Sequence, residues 1–321
     1  MAAITRGSIG RQLEPGLNVV LGLSYNEIAN EHLPLFEIET SKRSFEEEVM
    51  FSMFGEAPTK SEGDSITYDD AEELWTSRYT HETVAYGFQI TEEAQEDNLY
   101  DSFSKLRAKG LGRGMASTKQ TKAASVFNNG FSSSYLGGDG VCLFSASHPT
   151  ASAGSLSNTA GAVDLSETAV ETAHIAISIF KDDRGILIGA RPVSLHIPPN
   201  LQFTAYKILN STLTTSVLYA NTSSGGTADG SSGVTNLNNV DAVRAMGVFP
   251  KGTFVNHRFT DTNAWFIKTD VPNGAKMFVR KGLETKMDGD FDTGNLRFKA
   301  RERYSFGWSD WRSFYGASGS S

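Results

Sequence analysis

The sequence predicts a mixed α+β fold in which strands and turns outweigh helices. Three observations carry this. Glycine is abundant at 31 residues, and serine and threonine crowd the spaces between apolar runs, which suits strands joined by long loops better than a helical bundle. The final stretch alternates: Leu296, Phe298, Ala300, Tyr304, Phe306 and Trp308 share one parity, and Arg297, Lys299, Arg301 and Arg303 share the other, with Glu302 the exception on the apolar side. A period of two marks a strand with one covered face. Two segments, about 91–129 and 165–180, instead carry apolar residues at helical spacing.

Length and composition set the bounds. The 321 residues are enough for one large domain or two ordinary ones. With 39% hydrophobic and 21% charged residues the chain is too apolar to be disordered and too polar to be a membrane protein. Its one cysteine, Cys142, excludes an intrachain disulfide and a multi-cysteine metal site. A net charge of −8 argues against a generic, basic nucleic-acid binder. The distribution is more informative than the total. Residues 1–100 hold 20 acids and 6 bases, whereas the remainder holds 17 acids and 23 bases. An acidic first third and a mildly basic remainder attract each other within a fold or between copies. The start, Met1 to Gly7, lacks the basic-then-apolar layout of a secretory signal, and no apolar run is long enough to span a bilayer. Folding in a reducing cytosol is expected.

Residues 1–45 read as an irregular, extended arm, broken by Gly7, Gly10, Gly16 and Gly22 and denied a long helix by Pro15 and Pro34. Leu33, Leu35, Phe36 and Ile38 need cover, either from the arm's own domain or from a neighbouring subunit. Residues 46–90 read as a long antiparallel hairpin. Ile66 and Tyr68 alternate on the outgoing side, and Val84, Tyr86, Phe88 and Ile90 on the returning one. Near its tip lies the acidic run Asp69, Asp70, Glu72 and Glu73, followed by Trp75, so the tip is expected to protrude.

Thr91 is the predicted cap of a long helix to about Asn129, with acids at 92, 93, 96 and 97 in its first turns. Leu99, Phe103 and Leu106 form one stripe; Ala116, Ala123 and Phe127 continue it. Gly110, Gly112 and Gly114 predict a kink, since each interior glycine costs up to about 1 kcal/mol against alanine. A Gly/Ser-rich loop spans 131–162. Asp164, with Glu167 three residues on, is the predicted cap of a second helix burying Val170, Ala173, Ile177 and Phe180. A strand at 193–197 leads through Pro198-Pro199 into a helix containing Leu201, Ala205 and Leu209. Residues 221–239 read as a low-complexity surface loop, and short strands follow at 264–268 and 276–280.

Catalytic signatures are missing. There is no G-x-S-x-G elbow, P-loop, dinucleotide fingerprint or H-E-x-x-H. The glycines of 110–114 lie inside a helical pattern and do not form a phosphate cradle. Ser145, Ser147 and His148 with Asp139 supply the residue types of a soluble Ser/His hydrolase, but residues adjacent in one loop seldom face one another as a triad must. No enzymatic activity, cofactor or metal is expected. The cations of the last strand, Arg297, Lys299, Arg301 and Arg303, have three readings: contact with phosphates, with the acidic hairpin, or with solvent. The matching charge within this sequence favours the hairpin.

The order of parts resembles a tailed-phage major capsid protein of the HK97-like fold. The segment Thr83-Val-Ala-Tyr-Gly-Phe-Gln-Ile-Thr-Glu-Glu-Ala-Gln-Glu-Asp-Asn98 is similar to the hairpin-to-helix junction of the Mu-like major head subunit branch. Leu143 to Pro149, Pro192 to Asn200, Asn263-Ala-Trp-Phe266 and Phe306 to Arg312 resemble that branch too. The resemblance implies an N-terminal arm at 1–45, an E-loop hairpin at 46–90 and a P-domain with a spine helix at 91–184. It further implies an A-domain at 185–285 and a C-terminal strand returning to the P-domain at 286–321. It implies hexamers and pentamers of an icosahedral shell around double-stranded DNA, assembled in the host cytoplasm into a virion capsid. The implied partners are the chain itself, a portal, a separate scaffolding protein (no charged helical segment precedes the arm), a decoration protein and DNA held without sequence preference. No membrane is implied. Asp69, Asp70, Glu72, Glu73, Trp75, Arg297, Lys299, Arg301 and Arg303 are the candidate inter-subunit residues. Lys60 is the only lysine between 44 and 104 and has no identifiable partner, so crosslinking is not expected. The same fold would also serve an encapsulin-type compartment.

Overall fold

The computed structural model describes residues 7–91, 93, 100–211, 213–216, 237–240, 242–290 and 294–320. The chain opens with helix α1 (Gly7–Asn26), where an irregular arm was expected. Packing explains the correction. Leu17 and Leu21, one turn apart, are buried against Ala108, Leu111 and Met115 of the long helix α2 (Tyr100–Asn128), and this burial outweighs Pro15. Gly112 lies where the two helices meet; a Cβ there would stand 2.6 Å from the Leu21 carbonyl oxygen. The glycine that predicted a kink thus permits a close approach, and α2 runs unbroken for 29 residues, roughly 43 Å. Glu27 closes the pair by meeting Lys109 at 3.3 Å and Arg113 at 2.9 Å. The predicted first turns of this helix fall largely outside the described residues. Leu106 is exposed rather than buried, because α1 selects a neighbouring stripe of α2. Ala116, Ala123 and Phe127 are buried as expected.

Strand β1 (Glu37–Thr40) follows, then β2 (Phe45–Phe51) and β3 (Glu73–Thr80), which pair antiparallel in register from Phe45–Thr80 to Phe51–Glu73. The hairpin is therefore real, but its strands are not the expected ones. Residues 52–72 form no strand, and Ile66 and Tyr68 are exposed. The outgoing strand instead contains Glu46, Glu47 and Glu48, whose three consecutive charges hide its alternation. Strand β4 (Glu82–Ile90) leaves the hairpin altogether.

The remaining elements are β5 (Thr159–Gly161), α3 (Glu167–Ser178), β6 (Pro192–Ile197), a 3-10 turn (Pro199–Leu201) and α4 (Gln202–Asn210). They continue with β7 (Leu213–Ser216), β8 (Leu237–Val240), α5 (Ala242–Met246) and β9 (Thr253–Val255). The chain ends with β10 (Trp265–Thr269), β11 (Ala275–Gly289), β12 (Leu296–Trp308) and β13 (Phe314–Ala317). Helix α3 is capped by Ser166, whose hydroxyl accepts from Ala169 N–H at 3.2 Å. Asp164, the predicted cap, instead accepts from the Ser320 N–H and hydroxyl at 2.8 and 2.6 Å. Most of the predicted low-complexity loop lies outside the described residues.

Two sheets organise the fold. One runs β1-β11-β12-β4 and the other β5-β13-β10-β6-β9. The β12 alternation holds: Phe298, Ala300 and Tyr304 are buried and Arg297, Lys299 and Arg301 are exposed. Phe127, at the end of α2, is fully buried among Phe36, Phe144, Phe259, Phe266 and Phe314, with ring centroids 5.0–6.4 Å away. A separate core joins α3 to β6, β10 and β13 through Val170, Ala173, Ile177, Leu195, Trp265 and Tyr315.

Candidate assembly surfaces

The base of the β2–β3 hairpin is locked to the first sheet. Lys276 of β11, almost wholly buried, reaches Glu39 at 3.0 Å and also pairs with Glu48. Burial opposes its charge, but the two carboxylates outweigh that and raise its pKa. Glu48 also accepts from the Ser309 hydroxyl, which lies 2.5 Å from the Tyr79 hydroxyl. The Tyr79 ring packs edge-on against Phe278 at 4.8 Å and covers Gly307, where a Cβ would stand 2.7 Å from it. His81 spans Ser41 and Ser305 at 2.9 and 3.0 Å. The hairpin is therefore fixed at its root.

Beyond the root the chain covers little. Phe51, Met53, Phe54, Ile66 and Tyr68 are each more than half exposed, Tyr68 at 89%. Of the predicted acids, Asp69 organises the loop: its carboxylate accepts from Gly55 N–H at 2.8 Å and Asp70 N–H at 3.0 Å, and these bonds lower its pKa. Arg184 donates to the Asp70 carbonyl at 2.9 Å and stands 3.8 Å from Asp69. Glu72 donates its backbone N–H to the Ser52 hydroxyl at 3.0 Å, and Glu73 begins β3. Trp75 is half-buried, with its indole nitrogen buried and without a partner.

The predicted cations have other partners. Arg297 meets Asp290 at 2.5 Å and Arg301 meets Glu284 at 3.4 Å. Lys299 is exposed and sits between Lys286 and Gly87 in register. Arg303 lies between Lys281 and Thr83, its Nε buried without a partner. Among the described residues the acids of 69–73 and the cations of 297–303 are not brought together within the chain. Glu302, the exception in the alternation, is buried and meets Lys119 at 3.2 Å. Burial and this carboxylate push the Tyr25 and Tyr304 pKa values upward. The wrong-parity charge was the sequence signal for that pair.

The Ser/His arrangement does not assemble. His148 is fully buried and stacked on Trp311, with ring centroids 4.4 Å apart. Its Nδ1 meets Asp139 at 2.7 Å, but its Nε2 faces Asn158 Oδ1 at 3.1 Å, not Ser147. Asn158 donates onward to the carbonyls of Leu143, Trp311 and Phe314. Beside this hub Arg312, 1% exposed, meets Asp183 at 2.8 Å and Asp310 at 3.3 Å, and its Nε donates to the Lys181 carbonyl at 2.8 Å. Burial raises the Asp310 pKa; Arg312 opposes the rise. This knot ties the 139–158 loop, the segment after α3 and the chain end together. Its residue types show in the sequence, but nothing in the spacing announces their meeting. Among the described residues no cluster of three or more His, Cys, Asp or Glu is placed to hold a metal. No described helix is long and apolar enough to cross a membrane.

The structure thus presents a root-anchored hairpin with an uncovered loop, beside a long helix and two sheets. A family model described as phage capsid protein matches residues 72–317. The chain belongs to the phage capsid protein family. Its fold is shared, at 11% identity, by the subunit of a virus-like particle from Pyrococcus furiosus, with a TM-score of 0.56 over 94% of this chain and 97% of that one. The capsid of a native GTA particle is similar at 12% identity, with a TM-score of 0.50 over 92% of each chain. No curated protein sequence matches the chain. The HK97-like α+β fold and the role of capsid-shell subunit are thereby in place, and an encapsulin-type compartment is not favoured.

Proposed function

We propose that this capsid subunit assembles as hexamers and pentamers into an icosahedral shell around double-stranded DNA, in the cytoplasm of the host. Residues 1–45 act as the arm, with helix α1 laid along α2. Within 46–90 the E-loop hairpin is β2, β3 and the loop between them, while β4 joins the sheet of β12. Residues 91–184 act as the P-domain, 185–285 as the A-domain and 286–321 as the strand returning to the P-domain. The observation that carries this reading is the hairpin: rooted through Lys276, Glu48 and Tyr79, yet with five large apolar side chains of its 51–68 segment left in water. Such a loop is costly in a monomer and natural where an identical copy buries it. Asp69, Asp70, Glu72, Glu73 and Trp75 are placed on or beside that loop. Among the described residues Arg297, Lys299, Arg301 and Arg303 do not meet these acids within one chain, and they serve as a second, separate contact to a neighbouring copy. A portal, a scaffolding protein and a decoration protein are the further partners of this reading. The chain acts structurally, without catalysis.

Expression with the scaffolding and portal partners, followed by electron microscopy, tests this. Closed shells built of six-fold and five-fold capsomers are the expected result. Protein that stays monomeric at high concentration across salt conditions would overturn it.

A further inference from the structure

The loop meets its own chain at one polar point. Arg184 sits on a short strap after α3, and the strap is stiff. Asp182 Oδ1 accepts from the N–H groups of Arg184 and Ile186, both at 2.9 Å, and Asp182 N–H donates to the Ile186 carbonyl at 2.8 Å. Ile188 N–H donates to the Phe180 carbonyl at 2.9 Å, which brings Leu187 and Ile188 beside Ile179. Asp183 is fixed from below by buried Arg312. Arg184 is thus presented on a preorganised turn.

Around that point both surfaces are unfinished. Ile175 and Ile179, one turn apart on the outer face of α3, and Leu187 and Ile188 on the strap are 42–62% exposed. On the loop side Met53, Phe54, Ile66 and Tyr68 are 59–89% exposed. Isolated exposed apolar side chains are ordinary; four on the loop and four on α3 and the strap that the loop meets are not. The contact within the chain joins Arg184 Nη2 to the Asp70 carbonyl, but it leaves Arg184 Nε buried without a partner and both apolar groups in water. Charge selects the occupant. The 52–72 loop carries Glu56, Glu62, Asp64, Asp69, Asp70 and Glu72 against Lys60 alone, so it repels another loop and requires a cationic seat. Arg184, with Lys181 exposed on the same strap, is such a seat.

We propose that strap 180–188 and the outer face of α3 form the seat for the acidic loop 52–72 of a second copy. In this exchange the contact seen within one chain is replaced by its equivalent between chains, with the apolar groups buried around it. The inference rests on the shell reading and names the surface that receives the loop.

Two measurements test it. The first uses two chain lengths in a Cys142→Ser background, one carrying Asp70→Cys and the other Arg184→Cys, co-assembled and then oxidised. A disulfide between the two lengths is possible only between copies. The expected result is a covalent heterodimer from shells and none from free subunits. Shells that form without that product overturn the proposal. The second uses the unmodified protein: hydroxyl-radical footprinting of Ile175, Ile179, Leu187 and Ile188 in free subunits and in shells. Severalfold protection in shells, together with protection of Phe54 and Tyr68, supports the proposal. Unchanged labelling of the four overturns it, as does their protection while the loop stays fully labelled, which assigns the seat to another partner. Failure of the unmodified protein to form any shell strikes the shell reading itself, a result distinct from shells with an open seat.

Discussion

Around Arg312 the chain finishes its own chemistry, and along residues 52–72 it does not. Arg312 lies between Asp183 and Asp310, and Asn158 bonds three carbonyls from two distant segments. The loop has the opposite balance, with a fixed root, Asp69 organising its backbone and its large apolar side chains outside. The knot holds one subunit together by burying its charged groups with partners, although the Trp311 indole nitrogen beside them is buried without one. The loop carries apolar surface that only another molecule covers. Stability and assembly are therefore written in different regions and separable by substitution.

The largest expected effect is on the knot. Arg312→Ala leaves Asp183 and Asp310 buried without their cation, so the subunit should lose about 3–5 kcal/mol in urea unfolding. A loss below about 1 kcal/mol would remove the knot from one side of the comparison. The loop predicts the converse. Phe54→Ser with Tyr68→Ser should leave subunit unfolding within about 0.5 kcal/mol, while the yield of shells falls on the order of tenfold or more, since each 1.4 kcal/mol of lost contact is a factor of about ten. Equal damage to both readouts would merge the two regions.

Acid should weaken the interior first. His196 is fully buried, and burial, with Lys268 adding, pushes its pKa down to about 3; burial lowers His32 and His81 as well. The native state then binds fewer protons than the unfolded one below about pH 6.5. Stability is intact above that pH and is lost as the pH falls towards 3, with His196 contributing at most about 1.4 kcal/mol per pH unit. Urea midpoints measured from pH 7 to 4 should fall, and His196→Gln should flatten the fall. A flat wild-type profile would contradict this.

Two glycines of α2 sharpen the comparison at helix level. Gly112→Ala drives a Cβ into the Leu21 carbonyl and should cost about 1–3 kcal/mol. Gly110 has nothing within 4 Å, so Gly110→Ala should stabilise the subunit by up to about 1 kcal/mol. Thermal melts of the two variants should shift in opposite directions. The smallest effect per contact belongs to the acids. Neutralising Asp69, Asp70, Glu72 and Glu73 removes about 0–1 kcal/mol per exposed pair, repeated over every copy. Shells should melt earlier, most visibly at low salt, while subunits still fold; unchanged shell melting would refute the charge contribution.

Much of this was legible from residues alone. The alternation from Leu296 to Trp308 gave β12, and Val170, Ala173 and Ile177 gave α3. Misreadings arose where tertiary contact overrides local rules. Pro15 argued against a helix that Leu17 and Leu21 stabilise by packing, and Gly112 looked like a break because its partner, Leu21, lies far away in sequence. Glu46 to Glu48 masked β2, since Glu48 is neutralised by Lys276 from the distant β11. Glu302 was visible as an anomaly, but Lys119 was not identifiable as its partner. The acids and cations of the assembly surfaces were visible as charge; that the described residues do not bring them together within one chain emerges only in three dimensions.

The most direct measurement is amide hydrogen exchange of residues 52–72 in free subunits and in assembled shells. The loop backbone has few internal hydrogen bonds, so rapid exchange is expected in the free subunit and strong protection in the shell, with the knot at 310–317 protected equally in both. Equal, rapid exchange of the loop in both states would contradict the claim that a second copy completes this chain.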